Sequence, residues 1–158
     1  ENMAVGSSLT LENPPNKKYK GESSHALING MGGTINYQDK SWQGFEAEDL
    51  IAIIDLGSAK TINTVEVRFL QSQVFWIFLP YHIQIEHSSD GKNFELIYED
   101  FPSNNFSFEQ KIISYKANLG PLESRFIRVK GYNIDQCPDY HPGAGGPSWI
   151  FSDEIIIN

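Results

Sequence analysis

Alternation of apolar and polar residues, the pattern of a β-strand with one buried face, recurs along most of the chain. Segment 65–69 is Val-Glu-Val-Arg-Phe, and segment 126–130 is Phe-Ile-Arg-Val-Lys. Segments 50–56 and 155–157 are almost entirely apolar and rich in isoleucine, which is typical of buried strands. Helical periodicity is hard to find anywhere in the sequence.

A β-hairpin is predicted near the middle of the chain. Segment 82–86 alternates, the turn-forming run Ser-Ser-Asp-Gly follows at 88–91, and segment 94–98 returns as a second strand. With a further short strand at 112–115, the chain has seven or eight strands, which indicates an all-β sandwich or barrel.

Two long segments, 13–45 and 133–148, fit no strand pattern. Long loops on a rigid sheet scaffold often carry binding residues, so we expect a ligand site there.

Composition narrows the possible partners. The chain has 158 residues, a length typical of one domain, and its net charge is −8, from 12 basic and 20 acidic residues. This charge argues against nucleic acid as a partner, and the one basic cluster, at 17–20, is explained equally well as a solvated loop. No apolar run approaches the roughly 18 residues of a membrane span, so no membrane insertion is expected. The single cysteine, Cys137, excludes an internal disulfide.

Five segments, in chain order, resemble discoidin-type (F5/8 type C) domains and, among these, family 32 carbohydrate-binding modules. They are residues 26–30, 53–57, 88–94, 125–129 and 152–157. The resemblance implies that residues 1–158 form a single domain. Its expected fold is an eight-stranded antiparallel jelly-roll β-sandwich of the galactose-binding-domain-like type.

Further stretches, 42–46, 69–71 with 76–80, and 137–146, resemble the C-terminal domains of Bacteroidetes family 20 β-hexosaminidases, which are chitobiase-like enzymes. This resemblance implies a non-catalytic module excised from a larger glycosidase. It also implies a periplasmic, extracellular or cell-surface location, and the parent catalytic domain as a partner.

The resemblance implies a structural calcium site as well. Its side-chain ligands would be Asn29, Thr34 and Glu154, with backbone carbonyls from the loop that begins at Ala26 and from Asp153. The family usually has aspartate where this chain has Asn29, so the site has less negative charge and a lower expected affinity. The alternative is an Asn-Gly turn beside an exposed acid.

A sugar site combines flat aromatic rings with a few fixed hydrogen-bonding groups. By resemblance, the ligand-facing positions here are Tyr37, Trp42, Gln71, Gln73, Trp76 and Trp149. The histidine and arginine that grip the ligand in relatives are not evident, and glutamine forms weaker, neutral hydrogen bonds. The alternative is that the tryptophans pack within the protein.

Two functions remain open at this stage. The first is weak binding of glycans that end in galactose or an N-acetylhexosamine. The second is a structural role, in which the apolar run 75–78 docks against the parent catalytic domain and no sugar binds. Independent catalysis is not expected, because glycoside hydrolysis needs two carboxylates at a fixed separation. The acids Glu46, Glu48 and Asp49 adjoin a strand, where solvation explains them.

Overall fold

Antiparallel strand pairing accounts for almost all of the regular structure in the computed structural model, which describes all 158 residues. The strands are β1 Ser8–Leu11, β2 Gln43–Glu46, β3 Leu50–Gln71, β4 His82–Ser88, β5 Glu95–Asp100, β6 Lys111–Tyr132 and β7 Trp149–Ile157. The only helical elements are two 3₁₀ turns, Ala26–Ile28 and Gln73–Phe75. No helix in the structure has the length and apolar character needed to cross a membrane.

The pairing registers divide the strands into two layers. The first layer contains β1, the first part of β3, the second part of β6, β4 and β5. The second contains the rest of β3 and β6 together with β7 and β2. The β3–β6 register shifts between Asp55 and Lys60, where both strands pass from one layer to the other. The predicted antiparallel sandwich is therefore confirmed.

The predicted number of eight strands is not confirmed. The structure has seven spans, because β3 and β6 are 22 residues long and each contributes to both layers. Alternation in the sequence identifies the paired segments, but it does not show that two successive segments join into one long strand in β3 and again in β6.

Period-two burial builds the core between the layers. Along β3, Ala52 and Ile54 are buried in the first layer, and Val65 and Val67 are buried in the second. They belong to one cluster of 21 buried apolar residues that includes members of both layers. Burial of this surface is the main force that holds the sandwich together.

The predicted hairpin is confirmed at β4–β5. Asp90 organises its turn by accepting hydrogen bonds from the backbone nitrogens of Asn93 and Lys92, both at 2.8 Å, and from the Ser88 hydroxyl. These donors hold the pKa of Asp90 well below its ordinary value. Gly91 has a φ of 75°, which is a favourable angle only for residues without a Cβ.

The two chain ends lie side by side. The Met3 nitrogen donates to the Ile157 carbonyl at 2.7 Å, and the Ile157 nitrogen donates to Asn2 Oδ1 at 3.0 Å. Ala4 is fully buried beside them. The first residues of the chain are therefore held against the end of β7.

Candidate functional site

Strand β7 positions both candidate sites. Trp149 begins the strand, and Asp153 and Glu154 lie in its middle. The start of β7 is joined to the loop after β3, since the Trp149 nitrogen donates to the Trp76 carbonyl at 2.9 Å and the Phe78 nitrogen donates to the Trp149 carbonyl at 2.9 Å. The loop and the strand therefore hold each other in place.

A small apolar cluster lies beneath this junction, separate from the main core. Trp42, Leu70, Ile77 and Phe151 are all about 1% exposed or less. Each comes from a different segment of the second layer or its loops. This cluster forms a rigid base on which partly exposed aromatic residues are mounted.

An aromatic cleft opens above that base. Tyr19, Tyr37, Phe75 and Trp149 form its walls, over Ile77 and Phe151, and they enclose a shallow pocket of about 110 Å³. The Tyr37 and Phe75 ring centroids are 4.5 Å apart, and the rings of Tyr19 and Trp149 meet edge to face at 5.3 Å. Such contacts fix ring orientation, so the cleft is formed before any ligand arrives.

Burial and the neighbouring Tyr37 raise the pKa of Tyr19. A tyrosine hydroxyl ordinarily titrates near pH 10, so Tyr19 is protonated at neutral pH with or without this shift. It can donate a hydrogen bond to a bound molecule as well as accept one.

The structure brings together two of the six residues that the sequence placed at a sugar site, Tyr37 and Trp149. Both are half-buried, with one part of the ring packed and the other part facing the cleft. They come from segments more than 100 residues apart in sequence.

Trp42 packs inside the protein rather than lining the cleft. It is 1% exposed, and its indole nitrogen donates to the Thr34 carbonyl at 2.8 Å. Gly33 lies directly against the ring, because a Cβ at that position would be 2.7 Å from the indole nitrogen. This corrects the expectation for Trp42, which fastens the loop around Thr34.

Gln71 and Gln73 are also occupied within the protein, at 6% and 3% exposure. Gln71 donates to the Glu109 carbonyl at 3.0 Å, and Gln73 donates to the Asn105 carbonyl at 2.8 Å. Their amides hold the segment between β5 and β6, so the expectation that they grip a sugar is corrected as well.

Trp76 lies outside the cleft, on the neighbouring loop. It is 36% exposed and adopts a left-handed backbone with a φ of 66°, which is unfavourable for a bulky residue. Gly143 and Gly146 make room for its indole, since a Cβ on Gly143 would be 2.5 Å from the ring. His141 packs against the ring at 5.8 Å and uses both of its ring nitrogens in hydrogen bonds to the backbone.

Two cleft residues were missed by sequence reasoning. Phe75 was treated as part of an apolar run, and Tyr19 as part of a solvated lysine loop. The sequence did contain a signal for Tyr19. It is an aromatic residue between two lysines, and a loop that is only solvated has no reason to contain one.

An acidic pair from β7 faces the loop around residues 29–34. The β3–β7 register shifts between Val67 and Phe69. At this β-bulge a single β3 residue, Arg68, faces two β7 residues, Asp153 and Glu154. Asp153 is fully buried and accepts hydrogen bonds from the Arg68 guanidinium at 2.8 and 3.0 Å and from the Gly33 nitrogen at 2.6 Å. Its side chain is therefore fully engaged within the protein.

Glu154 is only half-satisfied. Its Oε1 accepts a hydrogen bond from the Gly30 nitrogen at 3.0 Å, whereas Oε2 is buried and has no partner. Burial raises the pKa of Glu154 to about 7. An unpartnered carboxylate oxygen beside a loop is a suitable ligand for a hard cation.

Three of the other expected calcium ligands come from segment 26–34, which faces Glu154, and the fourth, the Asp153 carbonyl, is on β7. Ala26 is buried in the first 3₁₀ turn, Asn29 uses Oδ1 to accept the Met31 nitrogen at 2.8 Å, and Thr34 is exposed. No group of three or more histidine, cysteine, aspartate or glutamate residues is present. The residues fit calcium through neutral oxygens and one carboxylate, and they do not fit a metal that needs several charged or nitrogen ligands.

Several solved structures share this fold. Chitosan-binding module 1 of a chitosanase/glucanase from Paenibacillus sp. IK-5 is 14% identical, with a TM-score of 0.66 over 100% of this chain and 98% of its own. The module CpGH89CBM32-4 of Clostridium perfringens, in complex with GlcNAc-α-1,4-galactose, is 16% identical, with a TM-score of 0.61 over 100% of this chain and 94% of its own.

The chain has the fold of a carbohydrate-binding module. A GH29 fucosidase of Ruminococcus gnavus in complex with fucose is 14% identical, with a TM-score of 0.65, and this chain covers 26% of that longer one. No protein-family model matches the chain, and no curated protein sequence does.

Proposed function

We propose that this chain is a non-catalytic carbohydrate-binding module appended to a secreted or periplasmic glycoside hydrolase of the β-hexosaminidase (chitobiase-like) kind. The aromatic cleft carries the proposal, because the fold places Tyr37 and Trp149, both expected to face a sugar, on one preformed surface. The sugar complex of a module with the same fold supports it.

The cleft suits a terminal hexose. Galactose and the N-acetylhexosamines present a face of C–H groups that packs on an aromatic ring, and their hydroxyls can bond to Tyr19 and Tyr37. The pocket is shallow, so only one ring of the glycan is gripped. We expect dissociation constants of about 0.1–1 mM, or roughly −4 to −5.5 kcal/mol.

The cleft lining is suited to packing against the apolar face of a sugar ring. All six lining side chains are aromatic or aliphatic, so no carboxylate pair faces the pocket. Asp49, one of the acids weighed as catalytic, accepts a hydrogen bond from the Asn133 nitrogen at 2.8 Å and thereby braces a loop.

Calcium completes the proposal as a structural ion. Glu154, Asn29 and Thr34 would supply side-chain oxygens, with carbonyls from Asp153 and the loop that starts at Ala26. The unpartnered Glu154 oxygen supports this assignment. When bound, the ion supplies positive charge that ties the loop to β7, and it takes no part in contacting sugar.

Tyr37→Ala tests the proposal. The matched control is Tyr81→Ala, since Tyr81 is 50% exposed and lies outside the cleft. Glycan-array screening followed by calorimetric titration should show weak binding of a galactose- or N-acetylhexosamine-ended glycan. We expect Tyr37→Ala to weaken that binding about fivefold or more, since loss of an aromatic stacking contact costs on the order of 1–3 kcal/mol where bases stack on such rings. We expect Tyr81→Ala to leave it unchanged. Equal behaviour of the two variants would contradict the assignment.

A second function is favoured by a separate observation. An apolar patch beside the cleft exposes Val74, Trp76, Phe106, Phe108 and Tyr140, with Phe108 73% exposed. The polar side chains near it, Gln73 and His141, are committed to internal hydrogen bonds. Such a patch suits docking against the parent catalytic domain.

The two functions predict different behaviour of one double variant. Phe106→Ser with Phe108→Ser should leave glycan binding intact if the cleft is the sugar site. If the module only docks, the same variant should detach it from the catalytic domain of the intact enzyme. That detachment would be measured as independent melting or protease release, and no glycan should bind either form.

A further inference from the structure

A second pocket, of about 330 Å³, adjoins the aromatic cleft and shares two of its walls, Tyr19 and Tyr37. Four lysines from two loops surround it. They are Lys17, Lys18, Lys20 and Lys40. We call this the lysine pocket. The sequence shows three of these lysines as a local run, and only the folded chain adds Lys40 and the tyrosine walls.

The positive charge of the lysine pocket is not neutralised within the protein. None of the seven ion pairs involves the four lysines, whereas Lys111 and Lys130 both have carboxylate partners. The pocket also contains Glu22 and Asp39, so its net charge is +2 on a chain whose overall charge is −8.

Asp39 is occupied by its own loop. Its two carboxylate oxygens accept hydrogen bonds from the Ser41 nitrogen at 3.0 Å and the Thr34 nitrogen at 3.1 Å. It therefore shapes the turn that carries Lys40 and does not pair with a lysine.

Both lysine-bearing segments are held by backbone contacts. The Tyr19 nitrogen donates to the Asn16 carbonyl at 2.9 Å, and the Gly44 nitrogen donates to the Tyr19 carbonyl at 2.8 Å. The Lys20 carbonyl accepts the Gln43 amide at 3.0 Å, and the Trp42 nitrogen donates to the Asp39 carbonyl at 3.1 Å. The fold thus keeps four like charges around one pocket although they repel one another.

We propose that the glycan bound by this module is acidic, with one ring on the aromatic cleft and a carboxylate or sulfate group in the lysine pocket. The proposal rests on the proposed function and names the class of sugar. Tyr19 and Tyr37 line both pockets, so a ring stacked in the cleft places a substituent next to the lysines. Lysine is a mobile point charge, which accommodates either anion without requiring the planar match that arginine imposes.

Calorimetric titration with matched saccharides tests the proposal. The probes are a galactose-ended and a galacturonate-ended oligosaccharide of equal length. The variant is Lys18→Met with Lys40→Met, one lysine from each of the two loops. Lys17 and Lys20 are left unchanged, because they also line a separate pocket of about 550 Å³ beside Leu9. The control is Lys60→Met with Lys92→Met, two exposed lysines outside both pockets and without ion pairs.

We expect the wild-type protein to bind the acidic saccharide about tenfold more tightly than the neutral one at low salt. That preference should fall toward one in the pocket variant and at 0.5 M salt, and persist in the control variant. Equal binding of the two saccharides, or a preference that survives Lys18→Met with Lys40→Met, would overturn the proposal.

Failure of the proposed function gives a different result. If the cleft binds no sugar, neither saccharide binds and Tyr37→Ala changes nothing. Binding to phosphatidylserine vesicles or to inorganic phosphate, lost in the pocket variant and without any saccharide binding, would assign the lysines to phosphate groups and also overturn the acidic-glycan proposal.

Discussion

Glu154 has a buried carboxylate of which only one oxygen is hydrogen-bonded. One of its oxygens is hydrogen-bonded to Gly30, and the other is buried without a donor. A buried charge that lacks a partner costs free energy, and folded proteins tolerate it where an ion or ligand completes the site. The loop that carries Asn29 and Thr34 therefore gains stability if a cation joins it to this carboxylate.

Calcium dependence of stability follows from that environment. Chelation should lower the melting temperature of the wild-type protein, since an ion at a hundred times its dissociation constant contributes about 2.7 kcal/mol. At pH 8, above the pKa of about 7 that burial gives Glu154, Glu154→Gln should remove the calcium response and, in chelator, should be no less stable than wild type, because it eliminates a buried charge. Calorimetric melting with calcium and with chelator measures both effects. Glu66→Gln, on the strand beside β7, should keep the wild-type response, and an identical curve in calcium and chelator would contradict the site.

The three tryptophans show how much of the site the sequence can predict. All three lie in or beside loops, so the local sequence pattern does not distinguish which of them faces a ligand. Burial separates them, since Trp42 is enclosed, Trp76 packs on glycines of another loop, and Trp149 reaches the cleft. Each outcome depends on a segment distant in sequence, and no single-sequence pattern contains that information.

Within the first layer, strands β4 and β6 are joined by a charged network as well as by backbone pairing. Glu86 lies opposite Arg128 in the β4–β6 register, is hydrogen-bonded to its guanidinium, and pairs with Lys130 at 3.0 Å. Arg128 also lies over the Phe94 ring, with its Cζ 3.9 Å from the centroid. Burial opposes ionisation of Glu86, but the Lys130 and Arg128 contacts outweigh it and hold its pKa below the ordinary 4.5.

The network predicts acid sensitivity of the sheet. Because the folded pKa of Glu86 is lower than its unfolded value, its stabilisation is complete above about pH 4.5 and is lost as pH falls through the folded pKa. Glu86→Gln should cost about 1.5–3 kcal/mol at pH 7 and should reduce the further loss of stability in acid. Urea unfolding at pH 7 and between pH 5 and 2 measures both quantities. Glu123→Gln is the control that should change neither, because Glu123 is exposed, lies on β6 and has no ion pair. A parallel shift of the curve at all pH values would argue against the network.

At the scale of the whole molecule, the fold was more predictable than the site. Period-two alternation predicts an all-β fold, because it is a local signal that appears wherever a strand buries one face, as β3 and part of β6 do. Strand β7 is buried on nearly all of its positions and was recognisable only as an apolar run, and the resemblance to known modules favoured a sandwich over a barrel. The passage of β3 and β6 between layers depends instead on a register shift after Asp55. The sequence therefore predicted the strands, and it missed the continuity of β3 and β6 between the layers.

Contact between the chain ends should make the first few residues important for stability. Removal of residues 1–6 eliminates the Met3–Ile157 and Asn2–Ile157 hydrogen bonds and uncovers the space filled by Ala4. We expect a loss of about 2–3 kcal/mol in urea unfolding, since each hydrogen bond contributes roughly 1 kcal/mol and the buried methyl group adds to this. Removal of exposed Glu1 alone is the control and should have no measurable effect. Unchanged stability after the longer truncation would show that the pairing with β7 is not maintained in solution.

Strand β7 also fixes how this unit can be built into a larger protein. It begins at Trp149 in the cleft and ends at Ile157 beside Met3, and its nine residues extend over about 26 Å. Any polypeptide that continues from either chain end therefore starts at the end of the sandwich opposite the aromatic cleft, so that it leaves the cleft accessible. Because entry and exit are adjacent, the unit can be spliced into a surface loop of a host domain as readily as it can be joined in series. A circular permutant with its ends joined by a short linker should keep the cleft outward.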